Sequence, residues 1–365
     1  TQESLDQLGQ TVASPPGSVI ISPAPRTLRD LSRGMDVYFS TRDAHSFPLD
    51  RHGMGTRSLA AFHTFKAYTT WRIENSKQDS IHPMLALEEP EAHLHPQAQR
   101  SLFHQIADLP GQRIVSTHSP YIAKEAEISQ FRHFRRIGSI AVVSSMQTSG
   151  LTPEDLRKLK RMVMNTRGEL LFARAIMLCS GETEEQALPV FSEKYWGRHP
   201  HDLGISIVGV GGDGSYLPFL RLAESFTIPW FVYSDGEPDT VRKLEAALGD
   251  IGQTTDRSGV IILGGGRNIE QCLTKDETYK EVLIDVIVSA REENNRHRTA
   301  LLREWRTKKN VMTKLYQKLS SKKTQYAPLW ARAIADLDDV GKRFPCGTQE
   351  LLGEISTQLG LAQAK

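Results

Sequence analysis

The sequence has few cysteines and no long apolar segment. Its 365 residues include three cysteines, Cys179, Cys272 and Cys346. Because this number is odd and the positions are far apart, the sequence argues against a disulfide framework or a zinc site and favours a reducing cytoplasm. We expect Cys179 and Cys272 to be small buried apolar residues. No run of about 18 apolar residues occurs and residues 1–10 contain no signal-peptide core, so we expect a cytoplasmic protein without a membrane partner.

The sequence also lacks a strong overall charge. Its 45 Lys and Arg residues are nearly balanced by 43 Asp and Glu residues, which gives a net charge of +2. Overall charge therefore neither predicts nor excludes a nucleic-acid partner. The segment 291–323 is locally basic, and two interpretations fit it equally well: a helix that follows a phosphate backbone, or a solvated helical face.

Length and periodicity predict an α/β protein of two or three domains. Short apolar runs at 83–88 and 113–116 predict strands on either side of an amphipathic helix at 90–109. A second series predicts a doubly wound unit of about 100 residues, and the sequence is helical from Glu277 onward. The strands of this series are predicted at 175–179, 205–210, 230–234 and 260–263, and its helices at 184–195, 216–226 and 240–248.

Two carboxylates follow the first predicted strand. Glu88 and Glu89 end the apolar run at 83–88, and His118 follows the next strand. At the carboxyl end of a sheet, one carboxylate can organise a Mg²⁺ shell and the next can polarise an attacking water, while the histidine reaches the same γ-phosphate. Taken alone, a Glu-Glu-Pro sequence is more often the start of a helix.

A glycine-rich turn precedes these carboxylates. Gly53, Gly55 and Ser58 belong to the segment Gly-Met-Gly-Thr-Arg-Ser, which leads into a helical stretch. Its backbone N–H groups and the helix N-terminus can hold phosphate, although a simple turn is the commoner explanation. No G-x-x-x-x-G-K-[ST] motif occurs, so the loop that cradles the β- and γ-phosphates is absent.

In their order and spacing, these segments resemble the signature segment, Walker B strand, D-loop and H-loop of ABC-type ATPases, in the branch that includes RecF, SMC and OLD proteins. The resemblance implies that Glu88 belongs to the Mg²⁺ shell, that Glu89 supports hydrolysis and that His118 is the switch histidine. It implies that 92–96 is the D-loop. Because the phosphate loop is missing, we expect the chain to begin midway through an ATPase, as a fragment or an excised piece. ATP would then bind only to the complete ATPase, and the chain alone would not hydrolyse it.

Acidic or polar turns follow three strands of the second series. They contain Ser180-Gly181-Glu182-Thr183-Glu184, Asp235-Gly236-Glu237 and Asn268-Ile269-Glu270. Because the carboxyl ends of parallel strands meet at one edge of a sheet, we expect these turns to converge in one crevice. Oxygen ligands at this density suit Mg²⁺ or Mn²⁺, and two ions about 4 Å apart would stabilise the attacking and leaving oxygens of a phosphodiester. Turn formation and helix capping are the alternative explanation.

The order of strand, E-G-x-T-E-like turn, helix and D-x-D-like turn resembles the Toprim domain of topoisomerases, bacterial primases and OLD nucleases. An ATPase segment followed by Toprim and a helical C-terminal region resembles the OLD (overcoming lysogenization defect) family, over almost the whole chain from Gly53. The resemblance implies a two-metal catalytic site. Its residues would be Glu184, Asp235 and Glu237 as metal ligands and catalytic groups, Asn268 and Glu270 as a further ligand pair, and Lys323, with Lys342 as the alternative, as the lysine that neutralises the scissile phosphate.

One position departs from the Toprim pattern. Ser180 stands where the first glutamate of the turn is usual, and a hydroxyl cannot replace an anionic ligand at equal affinity. Three explanations remain open: natural divergence, an engineered inactivating substitution, or compensation by Glu182. In the first two cases the chain would be a weak or inactive nuclease. Glu237, where aspartate is usual, keeps the charge.

The sequence thus predicts a partial ATPase domain at 1–168, a Toprim nuclease core at 169–275 and a helical region at 276–365 that completes the Toprim domain. The resemblance implies a DNA endonuclease that dimerises through its ATPase or helical region, with a possible helicase as partner and a role in anti-phage defence as further expectations. Two rival hypotheses are an ATP-responsive, RecF-like DNA-binding scaffold with a degraded Toprim site, and a Toprim primase or topoisomerase relative. Metal-dependent DNA cleavage separates the nuclease from the scaffold.

Overall fold

The computed structural model describes residues 19–22, 36–39, 47–75, 84–148, 151–211, 215–290 and 297–364. The chain divides into two compact units, residues 1–127 and 128–365, which we describe separately. The domain boundaries at 168/169 and 275/276 stay predictions. Part of the glycine-rich loop at 209–214 and of the basic segment at 291–323 lies outside the described residues.

The described residues of unit 1 form two small sheets and three α-helices. Its elements are β1 Val19–Ser22, β2 Asp36–Phe39, β3 Phe47–Pro48, α1 Met54–Glu74, β4 Met84–Glu88, α2 Pro96–Ala107, β5 Gln112–Ser116 and α3 Pro120–Glu125. Strands β1 to β3 are antiparallel, whereas β4 and β5 are parallel, as the alternating pattern predicts. Helix α2 begins later than predicted because His93 has a left-handed φ of 66° and Pro96 occupies the first helical position. Leu59 of α1 packs with Leu102 and Ile106 of α2.

Unit 2 begins with an antiparallel hairpin that the sequence did not predict. Strands β6 (His133–Ile137) and β7 (Ile140–Ser144) form it. Helix α4 (Pro153–Leu159) follows, and it continues into a π-helical turn at 160–164 and the short α5 (Asn165–Arg167). A capping box between Thr152 and Asp155 starts α4.

A four-stranded parallel sheet forms the centre of unit 2. The elements are β8 Ala175–Cys179, α6 Glu182–Trp196, β9 Ile205–Gly209, α7 Leu217–Ser225, β10 Trp230–Ser234, α8 Pro238–Gly249, β11 Val260–Ile262 and α9 Ile269–Lys275. The strand order is β11-β10-β8-β9. Every residue of β8 and β10 is buried, because helices cover both faces of a parallel sheet. Cys179 pairs with Tyr233 and with Gly209, so the turns that follow β8, β9 and β10 start at the same level.

The C-terminal helices complete the core on one face of this sheet. They are α10 Lys280–Ser289, α11 Arg298–Thr307, α12 Val311–Ser321, α13 Lys323–Ala335 and α14 Thr348–Leu359. Met177 and Phe231 lie in the same apolar cluster as residues of α6 and of these helices, and the rings of Phe191 and Trp330 lie 6.1 Å apart. The alternate strand residues, such as Leu178, are buried outside this cluster, on the face that α7 and α8 cover. The confirmed fold is therefore α/β, with a doubly wound domain and added helices.

The structure bears on the predictions drawn from the few cysteines and from the lack of a long apolar segment. The cysteine prediction was wrong for one pair, since Cys272 in α9 and Cys346 form a disulfide, with Cα atoms 6.2 Å apart across 74 residues of sequence. A count of cysteines could not reveal this pair, because tertiary folding of the C-terminal region brings it together. Cys179 is free and buried, as predicted. Among the described residues, no helix is both long and apolar enough to cross a membrane.

Candidate functional site

Three turns meet at the carboxyl ends of the strands in unit 2. The turn after β8 contacts the turn after β10, because Ser180 Oγ accepts a hydrogen bond from the Asp235 backbone N–H at 2.6 Å. The turn after β10 contacts the loop after β11, because the Gly236 N–H donates to the Arg267 carbonyl at 2.8 Å. These backbone contacts fix the three predicted turns against each other.

The contact at Gly236 leaves no room for a side chain. A Cβ atom on Gly236 would lie 1.7 Å from the carbonyl oxygen of Leu263. Glycine is therefore required for close approach between the loops, and this approach holds Asp235 and Glu237 beside Asn268.

Four carboxylates gather at this junction. Glu184 lies in the first turn of α6 and Glu270 in the first turn of α9, and their exposed fractions are 3% and 1%. The positive ends of the helix dipoles favour negative charge at both positions. Asp235 is partly buried and Glu237 is exposed. The sequence prediction that these residues converge is thus met in the geometry.

Burial and mutual repulsion disfavour full ionisation of the cluster. Burial, with the negative charge of Glu270 adding to it, raises the pKa of Glu184 to about 7. Burial also raises the pKa of Asp235 to about 8, and the charges of Glu184 and Glu270 contribute in the same direction. Both carboxyl groups therefore gain from a nearby cation.

Lys323 is a cation beside the cluster. Its Nζ lies 3.7 Å from Glu270 Oε1, which also accepts a hydrogen bond from Thr183 Oγ1 at 3.1 Å. Burial alone would lower the pKa of Lys323, but the surrounding carboxylates raise it above its ordinary value. Lys323 is consequently a stable ammonium group at neutral pH. Lys342, the alternative, lies 3.5 Å from Asp276 instead.

Asn268 positions its neighbours. Its side-chain oxygen accepts the Gln271 N–H at 2.9 Å and caps α9, while its amide nitrogen donates to Glu237 Oε1 at 3.2 Å. Asn268 therefore orients Glu237 and the first turn that carries Glu270. Metal ligation by Asn268 would use the second lone pair of the same oxygen.

The donors suit a divalent cation in kind. The oxygens Asp235 Oδ1 and Glu270 Oε2 are buried and have no hydrogen-bond partner among the described residues, which is unfavourable unless an ion or water satisfies them. Hard carboxylate oxygens are the ligands that Mg²⁺ and Mn²⁺ prefer. Within the described residues, however, no group of three or more His, Cys, Asp or Glu side chains is already arranged to hold an ion.

Ser180 and Glu182, the two residues considered for the position of the first Toprim glutamate, lie in different surroundings. Ser180 Oγ is engaged by the Asp235 N–H, and Glu182 is exposed at the first residue of α6. Glu185, which the sequence analysis missed, turns inward: it pairs with Arg167 at 2.6 Å, and its Oε2 lies against Gly209. The adjacent pair of glutamates at 184–185 was the available signal.

Tyr216 is a second residue that the sequence analysis missed. Its fully buried hydroxyl donates toward Ser180 Oγ at 3.4 Å and lies 3.1 Å from Ser234 Oγ. Through these contacts Tyr216 stabilises the ends of β8 and β10, where the two turns begin. Its position at the start of a predicted helix gave no signal of this role.

The predicted ATPase residues lie in unit 1. Glu89 and His118 contact each other twice: the His118 N–H donates to Glu89 Oε2 at 3.3 Å, and the ring Nε2 lies 3.3 Å from Oε1. Glu89 has a left-handed φ of 42°, which turns its side chain toward the end of β5. Glu88 is exposed at the end of β4 and pairs in register with Ser116.

The glycine-rich turn of unit 1 packs on the predicted D-loop. Gly53 caps α1, and a Cβ on Gly55 would lie 2.7 Å from the carbonyl oxygen of His93. Ser58 is half-buried in the second turn of α1. The structure thus joins Gly55 to the D-loop, and Glu89 to His118.

Two family models match the chain. Residues 5–123 match an AAA ATPase domain, and residues 171–236 match the TOPRIM domain of overcoming-lysogenization-defect-like proteins. The first match contains the predicted ATPase residues, and the second contains Ser180, Glu184 and Asp235 but ends before Glu237, Asn268, Glu270 and Lys323.

Individual relatives point in the same direction. The chain is 30% identical to the uncharacterized protein YbjD of Escherichia coli (strain K12) over 42% of its own length and 28% of that protein. It is 28% identical to the OLD nuclease of Thermus scotoductus over 52% of its length and 36% of that protein. The chain thus spans about a third of the length of these curated relatives.

A solved structure of the C-terminal region of the Xanthomonas campestris pv. campestris OLD protein also matches. It is 18% identical, with a TM-score of 0.39, and the match covers 52% of this chain and 96% of that one. The sequence matches, with their ATPase-then-Toprim order, support an OLD family protein.

Proposed function

We propose that the chain is a DNA endonuclease that cuts phosphodiester bonds with divalent metal ions at the junction of β8, β10 and β11. One observation carries the proposal: Lys323 lies 3.7 Å from Glu270, within a cluster of four acidic side chains at the carboxyl ends of the strands. The Toprim match and the OLD nuclease relative support it.

In this proposal the residues of the cluster have separate roles. Glu184, Asp235, Glu237 and Glu270 supply oxygen donors, and Asn268 holds Glu237 in place. When bound, two Mg²⁺ or Mn²⁺ ions would activate a water molecule and stabilise charge on the phosphate. Lys323 would neutralise negative charge on the scissile phosphate.

Ser180 determines the metal affinity that we expect of this site. Because its hydroxyl accepts the Asp235 N–H, it holds a turn and contributes no negative charge. We therefore expect weaker binding at one of the two metal positions than in a Toprim site with glutamate there.

We extend the proposal to a complete protein with ATPase function. There the Glu89–His118 pair would sense the γ-phosphate, and ATP-dependent homodimerisation would control DNA cleavage. A helicase partner and a role in anti-phage defence stay hypotheses from the family resemblance. The second candidate, a DNA-binding scaffold without cleavage, is favoured by the serine at position 180.

Nicking of supercoiled plasmid tests the proposal. The chain is incubated with Mg²⁺ or Mn²⁺, beside Asp235→Asn, Ser180→Glu and a control, Asp338→Asn, which removes an exposed carboxylate outside the cluster. We expect nicking that Asp235→Asn abolishes and Asp338→Asn preserves. If only Ser180→Glu cuts, the chain is a disabled nuclease. If no variant cuts with either metal, the scaffold hypothesis replaces the proposal.

A further inference from the structure

One segment of unit 2 is strongly basic although the chain is nearly neutral. Residues 305–335 contain no Asp or Glu. The cations of this segment are Arg306, Lys308, Lys309, Lys314, Lys318, Lys322, Lys323 and Arg332. This accumulation spans α12 and α13, and Lys323 at its centre reaches the carboxylate cluster.

Some of these cations already have partners. Arg306 pairs with Glu281 at 2.7 Å, and Lys308 pairs with Glu304 at 2.9 Å. Three lysines, which we call the lysine ridge, make no ion pair within the described part of the chain. They are Lys314, Lys318 and Lys322. Their charge is therefore available to a partner.

The lysines of the ridge are evenly spaced in the sequence, and the last of them is next to Lys323. Lys314 and Lys318 are four residues apart on one face of α12, a spacing of about 6 Å along the helix. Lys322 follows the end of α12 and directly precedes Lys323. The three lysines thus follow one another at four-residue intervals in the sequence, and the last of them is adjacent to Lys323, whose Nζ lies beside Glu270.

Helix α12 is held firmly against the site. Leu315 and Leu319 are completely buried in the apolar cluster of unit 2. Tyr316 accepts a hydrogen bond from Gln271 of α9 at 3.5 Å, and the first turn of α9 carries Glu270. The ridge and Glu270 are therefore carried by two neighbouring helices that pack against each other.

We propose that the lysine ridge binds the phosphate backbone of the DNA strand adjacent to the scissile phosphate. The inference rests on the proposed nuclease function and names the side chains that hold the substrate. Lysine acts on phosphate as a point charge, and each contact releases counterions from DNA. The ridge therefore contributes affinity without sequence preference.

Metal-free binding measurements test the ridge separately from cleavage. Fluorescence anisotropy in EDTA compares a labelled duplex and a labelled single strand, between 50 and 200 mM salt. The variants are the triple change Lys314→Gln/Lys318→Gln/Lys322→Gln and the control Lys243→Gln, an exposed lysine of α8 on the opposite face of the sheet. Near 0.1 M salt we expect a loss of about tenfold for each phosphate contact removed, with the salt slope smaller by about 0.9 per contact on duplex or about 0.7 on single strands. Lys243→Gln should bind as the unmodified chain does.

Each outcome is informative. The proposal is wrong if the triple variant and Lys243→Gln bind DNA equally well. It is also wrong if the unmodified chain binds neither the duplex nor the single strand in 50 mM salt. Each salt-slope change is divided by the value expected per contact, and the arm that loses more contacts identifies duplex or single-stranded DNA as the ligand. Ridge-dependent binding without nicking in any metal refutes the nuclease proposal and keeps DNA binding at the ridge. If the triple variant unfolds, the single changes Lys314→Gln and Lys322→Gln, both exposed, replace it.

Discussion

The hydroxyl oxygen of Ser180 lies 2.6 Å from the backbone nitrogen of Asp235 and accepts its hydrogen bond. The side chain that replaces the usual Toprim acid therefore joins the β8 turn to the β10 turn. Tyr216 adds a longer contact, of 3.4 Å, to the same hydroxyl. Ser180 is thus part of the framework that places Asp235.

Ser180→Ala removes this acceptor. The Asp235 N–H loses its partner, and we expect the free energy of unfolding to fall by about 1–2 kcal/mol. Plasmid nicking should fall as well, because Asp235 is less well fixed. Urea unfolding and nicking assays check both effects, beside Ser289→Ala at an exposed position. Equal stability of the two variants would show that the hydrogen bond contributes nothing.

The central strands were predictable because their signal is local. The run at 175–179 is continuously apolar and matches β8 at both ends, and Asp235 follows β10 directly, so its place at the sheet edge could be deduced. The hairpin of β6 and β7 was missed because Phe134, Ile137 and other apolar residues in it are exposed and break the expected alternation.

Other features of the site depend on residues distant in sequence. Asn268 carries an amide oxygen of the kind that binds metal ions, which the sequence shows. Its capping of α9 and its hydrogen bond to Glu237 are evident only in the folded chain. Glu185 faces inward because Arg167 pairs with it, across 18 residues. Periodicity within one helix does not contain this information.

Gly236→Ala should disrupt the site. The added Cβ would lie 1.7 Å from the Leu263 carbonyl oxygen, so the β10 turn must separate from the β11 loop and carry Asp235 away. We expect a loss of about 3 kcal/mol of stability or more, and of nearly all nicking. Thermal unfolding and plasmid assays measure the effect.

Gly264→Ala is the matched control for this change. It lies in the adjoining loop, and a Cβ there would meet nothing within 4 Å. We expect stability within about 0.5 kcal/mol of the unmodified chain. Similar losses in both variants would mean that the loop, rather than the close contact at Gly236, is sensitive.

Stability of the metal-free chain should depend on pH through the carboxylate cluster. Burial raises the pKa of Glu184 to about 7 and that of Asp235 to about 8, so the folded state holds protons that the unfolded chain releases. This contribution is complete below about pH 4 and is lost as the pH rises through 7 and 8. In EDTA we expect a fall on the order of 3 kcal/mol between pH 5 and 9.

The cause of this fall can be isolated. Asp235→Asn should remove most of it, and added Mg²⁺ should reduce it, whereas Asp338→Asn should leave it unchanged because Asp338 is exposed. Urea unfolding at several pH values measures each case. A pH profile that is the same in Asp235→Asn and the unmodified chain would assign the dependence to other groups.

The disulfide between Cys272 and Cys346 should link the C-terminal region to the helix that carries Glu270. Closing a loop across 74 residues stabilises a chain by about 4 kcal/mol in the chain-entropy model. We therefore expect a reducing agent to lower the melting temperature. Cys272→Ser should melt at the lower temperature with or without reductant. In denaturant, thiol titration should give one free thiol before reduction, from Cys179, and three after it. Three thiols in the unreduced sample would show that the pair is not bonded in solution, and the difference in melting temperature should then vanish as well.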